Sequence, residues 1–259
     1  MASATIAALH TTPVKGLRIV ACDEIDLTAD GAADDRRFYL VDERGRMVNG
    51  KQLGPLTEVV AEYRRAAGEL ELAFPDGRRV AAAIELGDMI DTTFFSQPVQ
   101  ARELLGPFGP ALSHHVGRWV RLVESIDRTG IDRGRNGAVS IVSRASLGAL
   151  ARVAGSAVDA RRFRMLVEVD GLVEAHEEDT WVGAQLRIGD ATVRVRGHVG
   201  RCLTTQRHPE SGETDLPTLN LLRSYRGGLP TTEPLAFGVY GEVIEPGRVA
   251  VGDRLTLMS

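Results

Sequence analysis

The 259-residue sequence predicts a mostly β fold, a β-barrel or open β architecture with a few helices. Short segments that mix β-branched residues with polar alternation recur along the whole chain. Turn residues separate these segments at close intervals, and only two stretches have the apolar spacing of an α-helix. Strands are therefore expected to dominate both halves of the chain.

The predicted strands follow one another from the N-terminus with few interruptions. In the first half they lie within 17–28, 36–48, 57–65, 68–84 and 116–125, and in the second half within 163–171, 184–197 and 237–258. Pro-Asp-Gly at 75–77 separates two alternating runs, and Gly77 is free to take the positive φ that a hairpin turn requires. Gly-Asp and Glu-Pro-Gly turns connect the later strands in the same way.

Two stretches are predicted as helices. In 143–155, Ser143 is suited to the N-cap and Gly155 to the C-terminal stop. In 216–228, Pro217 fits a first turn and a Gly-Gly pair ends the segment. Between the two halves of the chain, 127–138 is rich in Gly, Asp and Arg, which indicates a boundary or a long ligand-facing loop.

Composition and charge exclude several classes of partner. The 31 basic residues are offset by 35 acidic ones, so the net charge of −4 gives no reason to expect nucleic acid. No apolar run approaches the roughly 20 residues that span a bilayer, and the first residues do not resemble a secretory signal. Two widely spaced cysteines indicate a reducing compartment. We expect a cytoplasmic protein without a membrane partner.

Cys202 is the first candidate for chemistry. A free cysteine often packs as a small hydrophobe, and the spacing alone leaves that role open. Against it, Arg201 precedes Cys202 directly and two histidines are near in sequence. Neighbouring cations favour the thiolate, which is the nucleophilic and metal-ligating form. No second cysteine is close, so a dithiol redox pair and a zinc–cysteine site are excluded.

Several cationic side chains could bind an anion. Planar guanidinium groups suit bidentate contacts with phosphate, but each of these residues alone also fits a surface charge. Only their convergence would make a site, and the sequence contains neither a P-loop nor a G-x-G-x-x-G motif to require one. The candidates are Lys15, Arg36, Arg37, Arg161, Arg162 and Arg164.

A series of motifs resembles MOSC-domain proteins, which are named for the C-terminal domain of molybdenum cofactor sulfurase. The motifs are "TPVKGL" at 12–17, "DDRRFYLVDERGRMV" at 34–48, "ASL" at 145–147, "RRFRMLVEVDG" at 161–171, "EEDTWVGAQLRIGDATVRV" at 177–195, "GRCLTTQRHPESGE" at 200–213 and "FGVYGEVIEPGRVAVGD" at 237–253. The similarity is nearest to the branch that contains the mitochondrial amidoxime reducing component and its bacterial relatives. It implies an N-terminal MOSC-associated β-barrel module in 1–125 and a MOSC β-barrel in 126–259, with interleaved modules.

The resemblance also implies a site. Cys202 corresponds to a cysteine that either ligates a molybdenum held by a pterin dithiolene or carries a persulfide. Cofactor contacts would come from residues in both halves of the chain, including the loop before 145–147. The implied contact residues are Lys15, Arg36 or Arg37, Asn136, Ser140, Ser143, Arg162 or Arg164, Arg201 and Thr204.

The chain departs from the family pattern at three places. Met165-Leu166 stands where relatives usually carry Pro-Asn or Ala-Asn, so one polar contact is missing. Asn49-Gly50-Lys51 replaces a usual Thr-Gln-Arg, and a glycine precedes Arg201 where relatives often have a cysteine-containing segment. These differences predict an altered cofactor environment.

The resemblance implies a molybdenum-cofactor-binding oxidoreductase that acts on N-hydroxylated or N-oxide-type small molecules. A separate electron-donor protein would be needed, because two cysteines cannot hold an iron–sulfur cluster and no flavin or haem motif occurs. A sulfur carrier that uses a Cys202 persulfide is the first alternative. A non-enzymatic barrel that binds an anionic small molecule, with an inert thiol, is the second.

Overall fold

The computed structural model describes residues 3–126 and 133–258, in which strands predominate. The N-terminal part contains β1 (Ser3–Thr11), β2 (Val20–Cys22), β3 (Glu24–Thr28), β4 (Gly31–Ala32), β5 (Phe38–Val41), β6 (Met47–Val48), β7 (Val60–Arg64), β8 (Glu69–Ala73), β9 (Arg79–Ala83), β10 (Leu86–Phe94), β11 (Gln97–Leu104), α1 (Phe108–Val116) and β12 (Arg121–Ser125). The C-terminal part contains β13 (Val139–Ser143), α2 (Arg144–Ala154), β14 (Val167–Asp170), β15 (Gln185–Ile188), β16 (Ala191–Gly200), α3 (Thr218–Arg226), β17 (Ala236–Glu245), β18 (Gly247–Ala250) and β19 (Arg254–Leu257). The predicted mostly β fold is confirmed.

Seven strands form a closed barrel. Their order is β14-β13-β17-β16-β15-β19-β1, and β1 also pairs with β14, which completes the circle. The first strand of the chain therefore closes a barrel whose other six strands come from its second half. The register places Ile6 opposite Val169 and Ala4 opposite Leu255, and all four side chains are buried in the core. Closure leaves no open edge between these strands, which protects a sheet from unwanted pairing.

The N-terminal module packs around a second core. A five-stranded sheet, β10-β11-β12-β5-β6, and a three-stranded sheet, β7-β8-β9, enclose Leu17, Phe38, Leu56 and Phe108. The predicted hairpin at 75–77 is present between β8 and β9, and Gly77 has φ +87°.

Strands from the two ends of the chain also pair outside the barrel. Near the C-terminus, β18 pairs with β3, with Val249 opposite Ile25. Because β1 and β18 each pair across the predicted boundary at residue 125, the two modules share strands. Residues 127–132 of the predicted boundary loop lie outside the described residues, and a 3-10 turn follows at Gly134–Gly137.

Both predicted helices are confirmed, and a third was not predicted. Ser143 caps α2, since its hydroxyl accepts the Ser146 N–H, and Gly155 ends it with φ +68°. The second predicted helix corresponds to α3. The additional helix is α1, which packs into the N-terminal core through Phe108 and Leu112. No helix in 3–126 or 133–258 is long and apolar enough to cross a membrane.

Candidate functional site

A cavity of about 480 Å³ lies where the N-terminal module meets the barrel. Residues such as Lys15 and Asn49 line it from one side, and residues such as Cys202 and Tyr240 line it from the other. Its size is within the range of sites for small molecules and cofactors. The junction of the modules is thus the place where a ligand can bind.

The lining of the cavity is strongly cationic. Among its described lining residues the only carboxylate belongs to Asp35, whereas seven side chains are basic. These are Lys15, Arg36, Lys51, Arg133, Arg162, Arg164 and Arg201. Such a surplus attracts an anion, because charge-assisted hydrogen bonds from guanidinium and ammonium groups are strong. The convergence that the sequence could not show is therefore present for Lys15, Arg36, Arg162 and Arg164.

Arg36 and Arg164 are held together in unusual backbone conformations. Both have left-handed φ values, +52° and +55°, which cost energy in residues other than glycine. Arg36 Nη2 donates to the Arg164 carbonyl at 2.8 Å, and Arg164 Nη2 donates to the Leu17 carbonyl at 2.8 Å. These contacts connect the two modules directly beneath the cavity lining. The strain is compensated by the surrounding structure, as is common at binding sites.

Arg162 supports the segment that carries Cys202. Its guanidinium forms an ion pair with Asp215 at 3.0 Å and donates to the carbonyls of Thr205 and Arg207 at 3.1 Å. The side chain is almost completely buried, and its Nε has no hydrogen-bond partner. A buried donor without a partner is costly unless a ligand or water satisfies it. Arg162 is therefore a structural support of the Cys202 segment that keeps one buried N–H without a partner.

Arg201 is fixed by main-chain acceptors. Nε donates to the Phe237 carbonyl at 2.9 Å, Nη1 donates to the Phe163 carbonyl at 3.0 Å, and the guanidinium lies over the Phe163 ring. Burial, followed by repulsion from Arg133, lowers the pKa of the Arg201 guanidinium to about 9, which still leaves it charged near neutral pH. A positive charge is thus held next to Cys202.

Lys15 is buried with its ammonium group beside two aromatic rings. Only 7% of the residue is exposed, and Nζ lies 5.4 Å from the centroid of Phe94 and 5.6 Å from that of Phe95. Ammonium groups at this distance are attracted to the ring face. The aromatic rings therefore help to hold the charge of Lys15 at the cavity.

Cys202 combines a fixed backbone with an accessible side chain. Its carbonyl accepts from the Thr205 N–H at 3.1 Å and from the Thr205 hydroxyl at 3.0 Å. The residue is exposed, and Sγ lies 3.5 Å from the Thr204 hydroxyl oxygen. The packing role that the sequence left open requires a buried thiol. Its exposure in the cavity favours a chemical role instead.

The turn after Cys202 is anchored to the N-terminal module. Arg207 Nη2 donates to the Lys51 carbonyl at 3.1 Å, and Nη1 donates to the Gly212 carbonyl at 2.7 Å. Gly212 has φ +69°, and a Cβ at this position would lie 2.0 Å from the carbonyl oxygen of Gly54. Only a glycine fits between the two segments. This contact holds the Cys202 segment against the other wall of the cavity.

Three residues predicted for the site are not among the residues that line this cavity. Arg37 pairs with Glu124 and stacks on Tyr63 instead. Asn136 is exposed in the 3-10 turn and does not line the cavity. Ser143 is fully buried as the α2 N-cap, so its hydroxyl is committed to the helix.

Ser140, by contrast, does line the cavity, although its hydroxyl accepts the Leu166 N–H. Thr204 also lines it.

The sequence did not identify several lining residues. Arg133 belongs to the predicted ligand-facing loop, and it is held by Glu233 at 2.7 Å and stacks on Tyr240 at 4.6 Å. The Asp-Arg-Gly-Arg pattern of that loop was a usable signal for Arg133. For Phe95 and Tyr240 no local motif indicated a site, because their approach to the cavity depends on tertiary structure.

The donor set indicates how a metal could be held. Within the described residues, no three His, Cys, Asp or Glu side chains are grouped to bind a metal ion. A metal at Cys202 would therefore need further ligands from a chelating cofactor. The accessible sulfur donor and the surrounding cations fit a metal carried by an anionic organic group.

Comparison with known families gives two adjacent matches. The model described as MOSC domain matches residues 113–256, and the model described as MOSC N-terminal beta barrel domain matches residues 3–106. No match was found among curated proteins.

Some similarity to solved structures was also found. The YuaD protein from Bacillus subtilis is 13% identical, with a TM-score of 0.47 over 98% of this chain and 95% of the other. YiiM from Geobacillus stearothermophilus is 16% identical, with a TM-score of 0.39 over 68% of this chain and 74% of the other. YiiM from Escherichia coli is 21% identical, with a TM-score of 0.36 over 49% and 56%.

Proposed function

This chain belongs to the MOSC domain family, and we propose on that basis that it is a molybdenum-cofactor-binding oxidoreductase. Its substrates are N-hydroxylated or N-oxide-type small molecules, as in the amidoxime-reducing branch that the motifs resemble. One observation carries the proposal: the exposed thiol of Cys202 lies in the same cavity as seven cationic side chains. A thiol beside an anion site suits a metal that carries a phosphate-bearing chelator.

The chain's residues divide the binding work between them. Cys202 Sγ would be the protein ligand for molybdenum, and Arg201 would place a positive charge next to it. Arg36, Arg162 and Arg164 would supply cationic contacts to the phosphate and the pterin. When bound, the cofactor would supply oxygen-atom and two-electron redox chemistry.

The protein also orients the reacting region. Because the Cys202 carbonyl accepts two hydrogen bonds from Thr205, the backbone that carries the thiol is held in place. The Thr204 hydroxyl, 3.5 Å from Sγ, limits the rotation of the cysteine side chain. A fixed ligand direction leaves the exposed side of the cavity for a small-molecule substrate.

Electrons come from a separate donor protein in this proposal, and the site of action is the cytoplasm. The two free cysteines support both points, since they cannot bind an iron–sulfur cluster and are typical of a reducing compartment.

The test compares wild type with Cys202→Ser, both prepared from a host that makes the cofactor. We expect wild type to contain molybdenum and pterin and to reduce a model amidoxime with an artificial donor. Cys202→Ser should retain much of the pterin, because the cationic contacts persist, but lose most of the activity. Wild type without molybdenum, or a variant as active as wild type, would contradict the proposal.

The exposure of Cys202 also favours a second candidate, a sulfur carrier that holds a persulfide on this residue. An accessible thiol is what a sulfur donor needs to reach. This candidate predicts no molybdenum, together with a mass increase of one sulfur on wild type that disappears in Cys202→Ser. If the two proteins match in metal, sulfane sulfur and activity, Cys202 has only a packing role. If all three are absent from both proteins, the chain is a non-enzymatic anion-binding barrel.

A further inference from the structure

We propose that Phe95 selects flat substrates by stacking on their planar groups at the rim of the cavity. This inference rests on the proposed function, because it concerns the substrate of the same site. It assigns a specificity-determining role to the tip of the hairpin between β10 and β11, a part of the N-terminal module far in sequence from Cys202.

The hairpin places Phe95 at the cavity. Phe94 and Gln97 form the last pair of the ladder, so Phe95 and Ser96 make a two-residue loop. Phe95 is one of the residues that line the cavity, and Lys15 Nζ lies 5.6 Å from the centroid of its ring. The loop therefore brings an aromatic ring from the N-terminal module to the cationic site.

The residues of this loop do not suit its backbone. Phe95 has φ +46° and Ser96 has φ +68°, so both are left-handed. Two-residue hairpins with this geometry strongly prefer Asn-Gly, because side chains without local hydrogen bonds are strained there. Nothing in the turn itself accounts for a phenylalanine. Strained residues of this kind are typical of sites where the side chain has a function.

Burial does not account for the ring either. Phe95 is 54% exposed, whereas its neighbour Phe94 is 8% exposed and belongs to a hydrophobic core cluster. The ring of Phe94 meets that of Phe95 edge-on, at 5.1 Å and 77°. More than half of Phe95 stays accessible to solvent at the cavity rim. This surface is available to a ligand that enters and leaves.

The exposed position points to the substrate rather than to the cofactor. A tightly held cofactor is enclosed by its contacts, whereas a substrate must exchange with solvent through the rim. Aromatic rings pack best against other flat π systems, which approach in offset or edge-to-face arrangements. A saturated ring of similar size is bulkier across its face and lacks this interaction. Phe95 should therefore distinguish flat from non-flat substituents.

The experiment uses two N-hydroxyguanidines that differ in one substituent, phenyl or cyclohexyl. Their binding to the protein as purified is measured by calorimetry, with molybdenum content determined on the same samples. Wild type should bind the phenyl compound about tenfold more tightly, although the cyclohexyl compound is the more apolar. Phe95→Asn should reduce this ratio to about one, since asparagine tolerates the left-handed backbone but offers no ring.

Ser96→Gly is the matched control. It relieves strain in the same loop and keeps the ring, so the phenyl-to-cyclohexyl ratio should stay near tenfold. Its melting temperature should rise by roughly 2 °C, which reports that the loop is strained as described. A loss of the ratio in Ser96→Gly would show that loop geometry, not the ring, determines selectivity and would overturn the proposal.

The results separate this inference from the proposed function. A ratio of one in wild type, or an unchanged ratio in Phe95→Asn, overturns the role of Phe95 whether or not molybdenum is present. A ratio near tenfold that depends on Phe95, in protein that never acquires molybdenum, supports the role of Phe95 and contradicts the molybdenum-dependent function.

Discussion

Replacing Gly212 with alanine tests the contact that holds the Cys202 segment against the N-terminal module. The new Cβ would lie 2.0 Å from the Gly54 carbonyl oxygen and 2.7 Å from the Thr57 hydroxyl oxygen. The Gly54 oxygen is a main-chain atom, so relief requires a shift of backbone on at least one side. The residue also has φ +69°, which is unfavourable for alanine.

The magnitude follows from these two effects. Left-handed backbone costs about 1–2 kcal/mol in a residue with a Cβ, and steric overpacking adds about 1–3 kcal/mol. We therefore expect Gly212→Ala to lower the free energy of unfolding by about 2–5 kcal/mol. Gly68→Ala is the matched control, because Gly68 has φ +62° but no atom within 4 Å of its Cβ position. That variant should lose only the strain, about 1–2 kcal/mol.

Urea denaturation of wild type and both variants measures the difference. Each kilocalorie per mole should also lower the melting temperature by about 2–4 °C in a chain of this size. If Gly212→Ala and Gly68→Ala agree within about 0.5 kcal/mol, the close approach of Gly54 and Gly212 does not constrain the fold, and the reasoning is refuted.

Two further predictions concern charge and pH. Arg164→Ala should weaken pterin retention about 10- to 100-fold, because it removes a cation that lines the cavity. The control Arg37→Ala removes a cation that does not line the cavity and should change retention less than threefold. Equal losses in the two variants would contradict the placement of the anion site in this cavity. Burial, assisted by Arg226, lowers the pKa of His176 to about 4, below the value of 6.5 expected when unfolded, so the unfolded state takes up the proton first as pH falls. Between pH 6.5 and 4, the free energy of unfolding of wild type should therefore fall by up to about 3 kcal/mol more than that of His176→Asn. Asparagine is chosen because it tolerates the φ of +64° at this position. Urea titrations in which wild type and the variant lose the same stability would contradict the role of His176.

Local features of the sequence were sufficient for the helices with clear ends. Ser143 and Gly155 delimit α2 because a cap hydroxyl and a left-handed glycine act within a few residues of the helix. Helix α1 was not predicted; Pro107 precedes it and Pro110 lies in its first turn. Proline in a first turn removes only an N–H that has no helical partner, so the helix forms nevertheless.

Long-range features could not be derived from the sequence in the same way. Nothing in β1 itself indicates that it pairs with β14 and β19 and closes the barrel, because strand pairing depends on the whole fold. Arg36 and Arg37 are adjacent and chemically identical, yet only Arg36 lines the cavity, whereas Arg37 pairs with Glu124. The family resemblance named cations that line one cavity, but it could not choose between the neighbours Arg36 and Arg37.

The most direct test of Cys202 as the metal ligand is X-ray absorption at the molybdenum edge, measured on wild type and Cys202→Ser loaded in the same host. If Cys202 Sγ ligates the metal, the variant should show one sulfur neighbour fewer around molybdenum and one additional oxygen or nitrogen neighbour. An identical sulfur count in the two proteins, or no molybdenum in wild type, would contradict the assignment.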